Sequence, residues 1–275
     1  MDSQRTILAI VLSVIVLILF EWLAPHPKEA PTASPVATTQ SAPAPAPTAS
    51  ARSVAIPKTT AQPKPSTQAL ALAQGPSISF QTPLYVGKIQ LQGGDIQDLG
   101  LRNYPIAVDD KAPYPILDSS PARLTVQQSA FVNQNGQLLQ PVYQGPATVP
   151  PAGPIVLHGK AGPLQVQKTL RFDPKNYLLT EDIQVTNTGT GAFSGSYFDQ
   201  IVRNDRTESH WFMSIFTGAV LMHDGSLTEK DFADLRHHPE SYLGTGWAGM
   251  TDHYFLQAVL AEPHQQVQIY ARPDG

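Results

Sequence analysis

The chain opens on an apolar run: no charge interrupts Thr6 to Phe20, and twelve of those positions are Leu, Ile, Val or Phe. At roughly −0.3 to −0.6 kcal/mol per residue, they favour bilayer entry by about 4 to 7 kcal/mol. As a helix, Thr6 to Ala24 rises about 28 Å, close to the hydrocarbon thickness, and carries Trp22 to the interface. The pattern predicts a single membrane anchor over residues 1–24. A cleavable signal peptide is the rival reading. Against it, the run is at the upper length of such an apolar region, and "EWLAPHP" lacks a small-x-small cleavage site. Arg5, the one basic residue on the short side, predicts a cytoplasmic N-terminus, with everything after about residue 24 beyond the membrane. In a bacterium that is the periplasm or the exterior.

Residues 25–76 lose the apolar side chains and hold eleven of the 26 prolines. Such a segment cannot offset its ordering entropy by burial, and its prolines stiffen it toward polyproline II. It reads as a disordered tether reaching from about 40 Å as a coil to roughly 150 Å extended.

From residue 77 to 275 short alternating runs broken by Gly, Pro and Asn predict a β domain of the sandwich or barrel type. "LQGGDIQDLGL", "NQNGQLL", "LQVQKTLRF", "YLLTEDIQVTN" and "QVQIYARPDG" are the clearest. Around "DPKN", Asp173 to Asn176, a register matching Phe172 with Tyr177, Leu170 with Leu179, Val166 with Ile183 and Leu164 with Val185 puts every apolar residue on one face. It also sets Lys168 opposite Glu181, a partly covered ion pair of modest worth. One short helix is expected in "LTEKDFADLRHHPE", with Thr228 as cap, Phe232 and Leu235 on one face and Pro239 as the stop.

"GWAGMTDHYFLQAVLAE", Gly246 to Glu262, sets an acid and an imidazole side by side. Read as one central strand, apolar on both faces, it points Asp252 and His253 in opposite directions, so they form no dyad and hold no metal.

Composition narrows the chemistry. With 18 Lys+Arg against 22 Asp+Glu and a formal charge of −4, no basic field favours nucleic acid. The absence of cysteine removes thiolate metal sites, thiol nucleophiles and disulfides. His210, His223, His237 and His238 make no H-E-x-x-H or similar metal spacing, and neither a G-x-S-x-G elbow nor a Walker loop occurs. The glycines of "LQGGDIQDLGL" lie in a strand-and-turn context with no helix after them to cradle phosphate. No catalytic, cofactor-binding or metal residue is therefore expected.

The opening "MDSQRTILAIVL", the proline-rich tether, "LQGGDIQDLGLRNYP", "KTLRFDPKNYLLTEDIQVTNTGTG" and above all "GWAGMTDHYFLQAVL" resemble the N-terminal part of YidC-type membrane protein insertases of Gram-negative bacteria. The specific parts are the start and Trp247 to Phe255. The resemblance implies a first helix crossing the inner membrane with its N-terminus inside. After it comes a periplasmic antiparallel β-supersandwich like that of galactose mutarotase, here truncated at its C-terminal end. It implies a role beside the Sec translocon and SecDF in inserting and folding nascent membrane proteins. In the family, insertion belongs to five further membrane helices with an arginine-bearing groove, and no position here corresponds to that arginine. The chain is thus expected to be anchored but not to insert proteins alone. The alternative is a carbohydrate-binding or mutarotase-like domain, for which Glu208, His210 and His253 are the only acid and base candidates.

Overall fold

The computed structural model describes residues 70–151, 153–205, 216–252 and 254–273. The expected anchor, nearly all of the expected tether, and Glu208, His210 and His253 lie outside them. In chain order the strands are β1 (Ser77–Gln81), β2 (Tyr85–Gln90), β3 (Ile96–Ala107), β4 (Asp110–Leu117), β5 (Thr125–Asn133), β6 (Leu138–Leu139), β7 (Val142–Gln144), β8 (Ile155–Ala161) and β9 (Leu164–Phe172). There follow β10 (Leu179–Asn187), β11 (Gly195–Arg203), β12 (Gly218–His223), β13 (Ser226–Asp231), the helix α1 (Phe232–His237), β14 (Glu240–Gly244), β15 (Gly246–Thr251), β16 (Leu256–Leu260) and β17 (Val267–Ala271). No helix among the described residues is long and apolar enough to cross a membrane.

The fold is mainly β and its strand pairs are antiparallel. One sheet runs β1-β2-β3-β5-β11, with β4 on β3 and β6 on β5; a second runs β10-β9-β8-β7. Their inner faces share one core: Phe80, Tyr85, Ile89, Ile96, Leu101 and Phe131 meet Ile155, Leu157, Leu164, Val166 and Leu170. The alternation that fills it is plain on β9, where Leu164, Val166, Lys168 and Leu170 are buried and Gln165 and Arg171 exposed. A third sheet, β13-β12-β15-β16, and the pair β14-β17 enclose a smaller core of Ala219, Leu221, Leu235 and Ile269.

Three local expectations are corrected. Strand β9 spans the expected residues, but β10 pairs two residues further on: Leu179 lies opposite Phe172, Ile183 opposite Lys168, and Glu181 opposite Leu170. The cause is the turn. Asp173 Oδ1 accepts from Lys175 N at 2.7 Å and Asn176 N at 2.8 Å, and Asp173 N donates to Leu178 O, so six residues make the connection instead of four. Tyr177 is thereby freed to meet the rings of Tyr85 at 5.5 Å and Tyr104 at 5.7 Å. A shift of two keeps parity, so Leu179 and Ile183 still pack against the core, while Val185 at the far end is exposed.

The run from Gly246 to Glu262 is a hairpin and not one strand: β15 and β16 pair through Trp247 with Leu260 and Thr251 with Leu256, and Asp252 N donates to Phe255 O across the turn. Seventeen residues in one strand would have spanned about 56 Å, well beyond the usual length. The helix is present and ends before Pro239, but its cap is Asp231, whose carboxylate accepts from Asp234 N at 2.7 Å. Thr228 belongs to β13, held in the ladder opposite Leu221.

Candidate functional site

Lys168 occupies a position on β9 where its neighbours Leu164, Val166 and Leu170 are apolar, and its side chain is 0% exposed. An ammonium left unpaired there would cost several kcal/mol, so its three N–H donors need acceptors. They find Gly94 O, Ser129 Oγ and Glu181 Oε2, each at 3.0 Å. These come from the β2–β3 turn, from β5 and from β10, so one side chain ties the two sheets together. Glu181 reaches Lys168 on the diagonal, a distance that long side chains span. Its other oxygen accepts a hydrogen bond from the Tyr197 hydroxyl on β11.

The turn is shaped for this contact. Gly93 and Gly94 have φ of 81° and 69°, and a Cβ on Gly94 would lie 2.9 Å from Tyr143 Cε2 and 3.0 Å from Lys168 Cδ. The left-handed conformation and the close approach both require glycine. Directly after them Asp95 turns inward and accepts from Ser129 N at 3.0 Å, while its Oδ2 has no hydrogen-bond partner. Burial pushes Asp95 up to about 6, against the pull of the Ser129 N–H and Lys168. On β11, Asp199 lies opposite Ser129 and accepts from Gln127 Nε2 at 2.7 Å. Burial, then Glu181, raises it well above the usual carboxylate range, with Lys168 and Gln127 opposing. Burial likewise raises the phenols of Tyr143 and Tyr197.

The expected Lys168–Glu181 pair is therefore real in partnership and wrong in register and depth. Asp95, Ser129, Tyr197 and Asp199 were missed, because they come from the other sheet and alternation within one hairpin carries no signal for partners outside it.

The acid of the Asp252–His253 pair serves a different bond. Asp252 Oδ1 lies 3.6 Å from Arg203 NH2, and Arg203, with a side chain 2% exposed, also donates to Thr251 O at 2.7 Å and lies over the Phe232 ring. That set joins β11, the β15–β16 turn and α1. His223 stacks on Tyr242 at 3.7 Å between ring centroids, and His237 and His238 close the end of α1. Among the described residues no group of three or more His, Asp or Glu is placed to hold a metal.

An open groove of about 960 Å³ lies elsewhere on the first sheet, lined by Phe80, Leu99 and Leu117 with Lys88, Asp98 and Arg102. Two of its charges bond to the chain itself: Arg102 donates to Thr82 O at 2.6 Å, and Asp98 accepts from the Ser119 hydroxyl at 2.9 Å.

A buried polar clasp inside an antiparallel sandwich defines a β-sandwich domain whose best-built chemistry holds its sheets together. The family model described as the YidC periplasmic domain matches residues 77–275, most of the chain, and the chain belongs to that family. It is similar to proteins named membrane protein insertase YidC. The one from Paracoccus denitrificans is 28% identical over 318 residues, covering 98% of this chain and 49% of the relative. Those from Dinoroseobacter shibae and Thiobacillus denitrificans are 26% and 28% identical, covering 100% of this chain and 49% and 52% of the relatives. The chain thus spans about half the length of these relatives.

Proposed function

We propose that the chain is the anchor and periplasmic domain of a membrane protein insertase and chaperone. In this reading residues 1–24 cross the inner membrane once with the N-terminus in the cytoplasm. Residues 25–76 are a tether, and residues 77–275 form a mutarotase-like supersandwich in the periplasm. The domain performs no catalytic step, needs no metal or cofactor, and helps nascent membrane proteins insert and fold, beside the Sec translocon and SecDF or without them. What carries the reading is the family match over residues 77–275, together with relatives named insertases that align across nearly all of this chain. The buried clasp supports a structural rather than catalytic interior.

The test is to deplete a host of its insertase and supply residues 1–275. The expected result is a membrane-bound chain whose domain is cut by protease in spheroplasts, without restored growth or client insertion. Rescue, or a chain found in the cytosol, would overturn the reading. A carbohydrate-binding function rests on fold likeness alone.

A further inference from the structure

We propose that the Lys168 cluster is a proton-operated clasp between the two sheets: with Asp95 and Asp199 protonated it holds β9 and β10 against β5 and β11, and ionisation of those carboxylates slackens it.

The geometry sets this up through charge balance. Glu181 from β10 pairs with the Lys168 ammonium, whose charge also acts on Asp95 from the β2–β3 turn and Asp199 from β11; the phenol of Tyr197 on β11 bonds to Glu181, and that of Tyr143 on β7 lies within the field of Glu181 and Asp95. From β5 come only the uncharged Ser129 and Gln127. The next basic side chain along β11, Arg203, is bound to Asp252 and the Thr251 carbonyl. One cation with one carboxylate is balanced, and Lys168 and Glu181 already satisfy each other. Second and third negative charges, on buried Asp95 and half-buried Asp199, have no ion pair of their own among the described residues, and like charges in a poorly solvated site disfavour joint ionisation. Asp95 shows the strain in structural form, with one carboxylate oxygen buried and unpartnered.

The direction follows from linkage. An aspartate in the unfolded chain titrates near about 3.9, whereas Asp95 in the fold is raised to about 6. The folded state therefore holds the proton over that window. Its contribution to stability is complete below about pH 4 and is lost as pH rises through about 6. Asp199 is raised too and extends the loss in the same direction. A displacement of about two pH units corresponds to about a hundredfold in the ratio of folded to unfolded protein. The clasp is tight in acid and loose above neutrality, the reverse of surface carboxylates such as Asp173, which its turn hydrogen bonds hold below the usual range.

The experiment is a urea titration of the full chain in detergent, followed by circular dichroism from pH 5 to pH 8, with hydrogen exchange read on peptides from β5 and β9. Wild type is expected to lose midpoint as pH rises through about 6 and 7, then to level off, and to lose protection first in those two strands. Asp95→Asn and Asp199→Asn are each expected to flatten the slope. A wild-type midpoint that is constant or rises over this range would overturn the clasp. So would an unchanged slope in both variants, or early exchange that spares β5 and β9. If one carboxamide variant does not fold, the other and the wild-type exchange map still decide.

Discussion

The β9–β10 hairpin carries two ion pairs with one backbone geometry and opposite surroundings. Lys168 and Glu181 are two residues from direct opposition, and so are Arg171 and Asp182. The first pair has side chains 0% and 15% exposed; the second, 54% and 44%. Successive positions on a strand face opposite sides, so one pair points into the sandwich and the other into solvent. Strand pairing alone cannot assign a value to either. Water screens Arg171 and Asp182 whether or not they touch, while Lys168 has given up its hydration and depends wholly on its three acceptors.

The sharpest way to break that contrast is to remove one buried partner. Lys168→Met leaves Glu181 facing the core without its cation and should cost about 3–5 kcal/mol, read as a lower urea midpoint at unchanged slope. Adding Glu181→Met should recover most of the loss, since apolar side chains of similar size tolerate that site. A smaller effect is expected from Gly94→Ala, which forces a Cβ against Tyr143 and Lys168 at a positive φ and should cost about 1–3 kcal/mol. If that variant were neutral, the turn carbonyl would not be needed by the ammonium.

Asp252→Asn separates burial from strand pairing. Arg203 and Asp252 are as deeply placed as the Lys168 pair, at 2% and 15%, yet meet at a turn. The change should cost about 1–2 kcal/mol, toward the low end for hydrogen bonds to charged groups because Arg203 keeps the Thr251 carbonyl. Thermal unfolding of the two proteins at one pH checks it. Smallest of all, Arg171→Ala should change stability by less than about 1 kcal/mol and lose even that at high salt.

Alternation made the hairpin legible because it reports parity, and parity survived a two-residue shift. It could not report the length of the turn, which the Asp173 carboxylate decided, nor that Lys168 would be fully enclosed, which depends on β5 and β11. In the same way a largely apolar run from Gly246 to Glu262 concealed a hairpin: its register pairs Trp247 with Leu260 and Thr251 with Leu256, so parity changes across the turn, and apolar residues at both parities hide that change unless length is counted. Phe232, Leu235 and Pro239 marked the helix correctly, since spacing and a stop are local signals. Between Thr228 and Asp231 as cap, the choice fell to how far β13 extends, which is set by its pairing with β12. The expected membrane anchor, Glu208, His210 and His253 lie outside the described residues, so what the sequence implies of them remains an expectation.

Double-mutant cycles on the two pairs of the hairpin, Lys168 with Glu181 and Arg171 with Asp182, measured by urea unfolding at the same pH and ionic strength, test the buried clasp most directly. The coupling of the inner pair is expected to exceed about 2 kcal/mol and to be insensitive to salt, and that of the outer pair to stay below about 0.5 kcal/mol. Equal couplings, or an inner coupling that salt abolishes, would contradict a dry ion pair holding the two sheets together.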